Sequence, residues 1–161
     1  MKVSQLMYPS VITCRPEDSL EGAARKMWDE DIGCLPVVDE DYRPVGMLTD
    51  RDICMAAYIQ GALLKDIRVD AVMSRPVLSA TAADRVEDVE VVMRTHKVHR
   101  VPIVDENQRL VGLISTSSLA REAAREVRRK HPDVSEDEFV STLACICEPR
   151  RHASAFPSAA Q

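Results

Sequence analysis

The segments LPVVDEDYRPVGMLTDRD (residues 35–52) and VPIVDENQRLVGLISTSS (residues 101–118) align without a gap at an offset of 66 residues. The alignment extends over residues 7–54 (copy one) and residues 73–120 (copy two). A repeat at a fixed offset indicates that one structural unit is built twice along the chain. Identical residues at matching positions include the pairs Asp18 and Asp84, Met27 and Met93, and Pro36 and Pro102.

Both copies share one order of predicted elements, β-α-β-β-α. Short apolar runs predict strands, and apolar residues at helical spacing predict the first helix of each copy. In copy two this helical stripe consists of Val86, Val89, Val92 and Met93. The strands are predicted over residues 11–13, 35–38 and 44–49 in copy one and over residues 77–79, 101–104 and 110–115 in copy two. Pro36 and Pro102 then lie at strand starts, where a missing N–H is tolerated.

A unit of this size has helices on only one face of its sheet, so it cannot bury its apolar residues alone. We therefore expect an α/β (α+β) fold in which the two copies pack sheet to sheet with pseudo-two-fold symmetry. Such packing leaves two related clefts between the copies, and clefts between packed units are common ligand sites.

The tail after residue 125 has no counterpart in the repeat. His131 and Pro132 are expected to stop the preceding helix, and Ser135 with Glu138 predicts a capping box. A short C-terminal helix is predicted next, with Phe139, Val140, Leu143 and Ile146 on its apolar face. The residues from 148 onward are expected to be disordered.

The composition excludes several classes of protein. A net charge of −5 over 161 residues argues against nucleic acid and anionic membrane surfaces as partners, because both need a clustered positive field. The sequence contains neither the roughly 18 consecutive apolar residues of a membrane span nor a signal peptide, so a cytoplasmic location is expected. The five cysteines have no metal-binding or disulfide spacing, and no carboxylate or thiol completes a metal site with His96 and His99, so none is expected.

The motifs LPVVD and VPIVD, each followed by VGMLTDRD or VGLISTSS, resemble the two halves of a tandem CBS pair, also called a Bateman module. The resemblance covers residues 1–125 and predicts CBS domain 1 at residues 1–62, CBS domain 2 at residues 63–125, and an extension at residues 126–161. It implies a regulatory module without enzyme activity that senses an adenine nucleotide (AMP, ADP or ATP). It also implies a homodimer, formed through the helices of both copies, that signals to an effector protein.

The strand-to-helix turn of copy one is the predicted ribose site. On the residues alone, Thr49 caps the next helix and Asp52 lies in its first turn, a common stabilising pattern. The resemblance adds a second role, in which Thr49 and Asp52 hold the hydroxyls of a ribose. It also implies that His99 and Arg100 of copy two reach across to the phosphate of the same ligand.

The two predicted clefts differ in their chemistry. The base is expected against Met47, Val77, Leu78 and Ser79. In copy two Ser118 replaces the aspartate, and in copy one Gly33 and Cys34 replace the His-Arg pair, so the second cleft is expected to bind more weakly. The second cleft is predicted to be lined by Ile12, Thr13, Gly33, Cys34, Ser115 and Ser118.

Two other functions stay open. The chain could be a purely structural dimerisation or interaction module whose clefts stay empty, or an enzyme that turns over the bound nucleotide. The sequence contains no Ser/His/Asp order, no glycine-rich phosphate loop and no set of metal ligands, which disfavours the enzyme.

Overall fold

The structure is a computed structural model that describes residues 1–126 and 135–147. It has mixed α+β architecture, which confirms the predicted fold class, with two sheets in the order β1-β2 and β3-β4-β5. The elements are, in chain order, α1 (Leu20–Asp29), β1 (Cys34–Val38), β2 (Pro44–Thr49), α2 (Asp50–Gln60), β3 (Ala80–Thr81), α3 (Val86–His96), β4 (Arg100–Val104), β5 (Leu110–Ser115), α4 (Thr116–Glu126) and α5 (Glu136–Cys147).

The repeat predicted from the sequence is confirmed in the geometry of the two hairpins. β1 pairs antiparallel with β2 and β4 with β5, and each element of copy two after β3 begins 66 residues after its counterpart. Both hairpins have a register shift before their last pair, at Val38 and at Val104. Their turns place Tyr42 and Gln108 in the left-handed region, each with φ of 64°.

The predicted strands at residues 11–13 and 77–79 are wrong in position. Copy one forms only an isolated parallel bridge from Cys14 to Val37, and copy two forms β3, which begins at Ala80. The parallel ladder cannot extend backward, because the carbonyl of Ile12 or Leu78 would need an N–H from Pro36 or Pro102, and proline has none. These prolines lie inside β1 and β4 and not at their starts.

The segment that precedes each copy packs on the opposite copy. Val3 donates its N–H to the Asp84 carbonyl at 2.9 Å, and Val69 donates to the Asp18 carbonyl at the same distance. Accordingly Val3 is buried in the core of copy two, whereas Val69, with Ile67 and Met73, is buried in the core of copy one. This exchange ties the two copies together through both of their cores.

Two glycines allow the segment that precedes each copy to lie very close to the hairpin of the opposite copy. A Cβ on Gly46 would lie 2.3 Å from the Met73 sulfur, and a Cβ on Gly112 would lie 2.7 Å from the Met7 sulfur. Met7 and Met73 are equivalent positions of the repeat, and so are the two glycines. The glycine of each VG motif is therefore the site where the exchanged segment contacts the hairpin.

The first helix of copy two, α3, buries the apolar face that the sequence predicted for it. Val86, Val89 and Met93 are buried, and Val92 packs at the edge of the same core. Among the helices of the described ranges, none is both long enough and apolar enough to span a bilayer.

Ser135 caps the start of helix α5, which confirms one half of the predicted capping box. The Ser135 hydroxyl accepts the Glu138 N–H at 3.1 Å and donates to the Glu138 carboxylate at 3.0 Å. The predicted apolar face is only partly correct, because Val140 is 61% exposed and Thr142 is buried. Thr142 and Ile146 are buried because α5 packs against α3 and α4. His131, Pro132 and the residues from 148 onward lie outside the described residues.

Candidate functional site

The turn between β2 and α2 is organised by a reciprocal cap. The Thr49 hydroxyl accepts the Asp52 N–H at 3.2 Å, and Asp52 Oδ2 accepts both the Thr49 N–H at 2.9 Å and the Thr49 hydroxyl at 2.7 Å. The helix-cap role predicted from the residues alone is thus confirmed. Asp52 Oδ1 makes no hydrogen bond to any residue that the structure describes, so this oxygen can accept a further hydrogen bond.

The equivalent turn in copy two has the same geometry without the charge. The Ser115 and Ser118 hydroxyls lie 3.0 Å apart, and each accepts the other residue's N–H at 3.2 Å. Ser118 is also buried. This turn therefore presents neutral hydroxyl groups that are already paired with each other.

Arg100 lies beside the turn of copy one, although it belongs to copy two. Burial raises the pKa of the Cys34 thiol to about 11, the Arg100 guanidinium opposes this rise, and the Asp50 and Asp52 carboxylates add to it. One thiol is therefore within electrostatic range of a cation from copy two and two carboxylates from copy one. The half-buried Arg100 side chain forms no ion pair or hydrogen bond with the part of the chain that the structure describes.

Cys34 and Arg100 are equivalent positions of the repeat, and the charge of Arg100 acts on the Cys34 thiol. The sequence assigned Cys34 to the second cleft, yet the structure places it close to Asp52 and Arg100 of the first. Asp50 was not predicted as a site residue. It precedes Arg51 and Asp52 in the same turn, and its carboxylate would lie 3.0 Å from a Cβ at Gly33.

The remaining predicted residues of the first cleft lie on three segments: His99 just before β4, Met47 in β2, and residues 77–79 just before β3. His99 is exposed, and its carbonyl accepts the Thr116 N–H at 3.0 Å. Met47 is half-buried in β2 and exchanges two backbone hydrogen bonds with Ser74, at 2.8 and 3.2 Å. Ser74 is followed along the chain by the segment before β3. In this segment Val77 and Leu78 are half-buried and Ser79 is exposed.

The residues of the second predicted cleft include no counterpart of the Asp52 carboxylate or of the Arg100 guanidinium. Ile12 is 37% exposed, and the carbonyl of Thr13 accepts the Lys26 ammonium at 3.1 Å. Gly33 and Cys34 occupy the places of His99 and Arg100. The roles assigned to both sets of residues stay predictions.

A groove of about 360 Å³ opens between α1 and α2. Of the predicted site residues, Gly33 lines it, and Thr49, Asp52 and Arg100 do not. Its lining consists of Ala24, Met27, Trp28, Asp31, Ile32, Gly33, Asp50 and Ile53. The groove is thus a feature of the helical surface of copy one. Within residues 1–126 and 135–147, no three His, Cys, Asp or Glu side chains lie together in a way that could hold a metal ion.

Comparison with known proteins agrees with the repeat. The family model of the CBS domain matches residues 3–58 and 65–125. Hypoxic response protein 1 of Mycobacterium tuberculosis is 31% identical over 144 residues, which cover 89% of this chain and 92% of that protein. Inosine-5'-monophosphate dehydrogenase of Methanocaldococcus jannaschii is 31% identical over 149 residues, which cover 92% of this chain but only 28% of that enzyme.

Solved structures show the same architecture. The CBS domain pair of protein MJ0100, in complex with 5'-methylthioadenosine and S-adenosyl-L-methionine, has a TM-score of 0.71 and 26% identity, covering 78% of this chain and 98% of that one. The crystal structure of Hypoxic Response Protein I, with two coordinated zinc ions, has a TM-score of 0.69 and 30% identity, covering 75% and 98%. The chain belongs to the CBS domain family and carries two CBS domains in tandem.

Proposed function

We propose that this protein is a regulatory module without catalytic activity that binds an adenine nucleotide in the cleft holding Thr49, Asp52, His99 and Arg100. One observation carries the proposal. The Asp52 carboxylate of copy one and the Arg100 guanidinium of copy two lie around the same buried thiol, that of Cys34. A ligand that carries both hydroxyl donors and an anionic group would complement these two side chains.

The chemistry of each group matches one part of a nucleotide. Asp52 Oδ1 can accept a ribose hydroxyl in a charge-assisted hydrogen bond while Oδ2 stays in the helix cap. Arg100 can bind two phosphate oxygens at once, and a phosphate dianion would favour the protonated form of His99. The N–H groups at the start of α2 add a favourable field for an anion.

The ligand class is supported by the MJ0100 domain pair, whose two ligands share an adenosine group. AMP, ADP, ATP and an S-adenosylmethionine-like ligand differ from one another in the group attached to the ribose. Arg100 favours a phosphate at that place. The base would pack against Met47, Val77, Leu78 and Ser79, and the cleft of Ser115 and Ser118 would bind more weakly.

The regulatory role is supported by the exchange of segments between the copies. A ligand held by residues of both copies changes their packing, and a second copy of the chain or an effector protein can respond to that change. The dehydrogenase relative has 72% of its length outside the match, so its activity is not carried over. A cytoplasmic location is part of this proposal.

Thermal shift measurements with AMP, ADP, ATP, S-adenosylmethionine and 5'-methylthioadenosine test this proposal. A ligand at 100 times its Kd should stabilise the protein by about 2.7 kcal/mol. We expect the phosphorylated ligands to raise the melting temperature most. If all five leave it unchanged and mass spectrometry finds no adenosine compound released from the purified protein, the alternative of a structural interaction module is favoured. Conversion of ATP during long incubation would instead indicate an enzyme.

A further inference from the structure

Helix α5 covers the helical surface of copy two. Ile146 of α5 is buried in one core cluster with Met93 of α3 and Leu119 of α4. Thr142 is fully buried, and its hydroxyl accepts a hydrogen bond from the Arg94 guanidinium at 3.4 Å. The repeat supplies no equivalent helix for copy one, so α5 is an addition with its own docking surface, which we call the α3/α4 face.

A carboxylate is buried on α3 in this docking region. Glu90 is 1% exposed, and its Oε1 atom has no hydrogen-bond partner in the part of the chain that the structure describes. Among residues 1–126 and 135–147, three charged groups act on it: Glu138 from α5, and Glu87 and Arg94 from α3. Glu87 is itself paired with Arg85 and lies 3.8 Å from the amino group of Met1.

The arrangement disfavours an ionised Glu90. Burial raises its pKa to about 7, and the negative charge of Glu138 adds to the rise, while Arg94 lowers it and Glu87 raises it further. The repeat shows that helix formation does not need this carboxylate, because the equivalent position in α1 is Ala24. The acidic residue is thus a particular feature of the copy that α5 covers.

We propose that α5 docks reversibly on the α3/α4 face and that Glu90 takes up a proton when it docks. With α5 released, Glu90 is open to water and ionises as an ordinary carboxylate; with α5 in place, it keeps its proton to a higher pH. This inference does not depend on nucleotide binding, so a failure of either proposal leaves the other standing.

The direction in which pH changes the docking of α5 follows from the pKa of Glu90 in the docked and the released state. The docked state has the raised pKa of about 7, so docking is strongest below the ordinary carboxylate pKa of about 4.3. Docking weakens as the pH rises toward 7 and levels off above it. Between pH 5.5 and pH 8 the docking equilibrium constant should fall by about tenfold or more.

Hydrogen exchange of the full chain tests this directly. Protection factors, which correct for the intrinsic effect of pH, are measured for amides of α5 at pH 5.5 and pH 8, with α1 as internal reference. In wild type we expect α5 protection to fall by about tenfold or more while α1 changes little. In Glu90→Gln, the neutral isostere, α5 should stay protected at both pH values.

Asp137→Asn is the matched control, since it removes one exposed carboxylate from α5 itself and should retain the pH effect. If Glu90→Gln does not fold, carboxyl NMR of wild type should still show Glu90 titrating near pH 7. In Ile146→Ala, which loosens α5 without touching Glu90, that midpoint should move toward the ordinary value. Wild-type α5 protection that is independent of pH, an equal fall in Glu90→Gln, or a Glu90 midpoint near 4 would overturn the proposal.

Discussion

One oxygen of the Asp52 carboxylate is used by the cap of α2, and the other is proposed to accept a ribose hydroxyl, so a test must separate these two roles. Truncation to alanine would remove the proposed ligand contact and the cap together, and a lost cap alone costs about 0.5–2 kcal/mol of stability. Asparagine keeps an oxygen that can accept from the Thr49 N–H and hydroxyl, but it removes the charge.

We therefore expect Asp52→Asn to weaken AMP binding by about 2 kcal/mol, roughly a 30-fold increase in Kd, with the melting temperature nearly unchanged. Calorimetry measures the first quantity and thermal unfolding the second. Ser118→Ala, at the equivalent place in copy two, is the control and should leave strong binding intact. AMP binding by Asp52→Asn that is as tight as in wild type would exclude the ribose role.

Arg100 is the residue that should distinguish phosphorylated from unphosphorylated ligands. Because its guanidinium would contact only the phosphate, Arg100→Ala should raise the Kd for AMP by at least about tenfold and change the Kd for adenosine little. Arg109→Ala removes the same charge from the hairpin turn and controls for long-range electrostatics. Equal losses for the two ligands would show that Arg100 does not bind the phosphate.

At the scale of elements, the close approach of Gly46 to Met73 has a measurable cost. Gly46→Ala places a methyl group against a buried side chain, so we expect the free energy of unfolding to fall by about 1–3 kcal/mol. Gly22→Ala lies inside α1, where the new Cβ would be 3.5 Å from the Ser19 hydroxyl. That change should raise stability by about 0.5–1 kcal/mol. Denaturant unfolding checks both variants, and a neutral Gly46→Ala would contradict the exchanged packing.

The repeat was sufficient to predict both hairpins and all four paired helices, because their patterns occur twice at one offset. It could not predict which copy the segments around Val3 and Val69 would join. Both placements satisfy the same local pattern, and the choice is made by packing between the copies. The position of α5 could not be predicted either, because a helix outside the repeat has no counterpart to fix where it docks.

The candidate site likewise combines features that are local in sequence with features that depend on how the two copies pack. The cap at Thr49 and Asp52 is local in sequence and could be predicted from residue spacing. The approach of Arg100 to that turn depends on how the copies pack, so the residues alone could not supply it and the family resemblance did. Asp50 was missed because the repeat has Thr116 at the equivalent position and the family resemblance assigned Asp50 no role.

For the whole molecule, the helical surfaces of the two copies are unequal. Trp28 of α1 is 86% exposed, and Tyr58 and Ile59 of α2 are 76% and 69% exposed. The equivalent positions in copy two are Arg94, Ala124 and Arg125. The sequence predicted association through α1 and α3 alike, but α5 packs on α3, so the exposed apolar side chains favour the α1/α2 surface.

We expect a dimer by light scattering at tens of micromolar, formed through the α1/α2 surface. An isologous interface is self-complementary, and here the exposed Trp28 stands beside the groove that it helps to line. Trp28→Glu should give a monomer, whereas Val91→Glu, at a half-exposed position of α3, should remain a dimer. A wild-type monomer, or loss of the dimer in Val91→Glu, would refute this arrangement.

The two copies share their backbone geometry but differ in the side chains at their strand-to-helix turns. We expect this difference to set the number of ligands bound. In the proposed arrangement the carboxylate of Asp52 and the guanidinium of Arg100 serve one cleft, while the second predicted cleft has the hydroxyls of Ser115 and Ser118, which are paired with each other. Calorimetry with AMP should therefore find one strong site per chain, with any second site much weaker.

Asp52→Asn and Arg100→Ala decide whether that single site is shared between the copies. If each residue served a different cleft, each variant would leave one strong site untouched. We expect instead that each variant weakens the same strong binding event. The number of AMP molecules bound per chain should stay at one. A double-mutant cycle then measures their coupling through the ligand. Two equally tight sites per chain, or a strong site that survives either substitution, would show that the copies bind separately and that Arg100 does not act across the pseudo-two-fold axis.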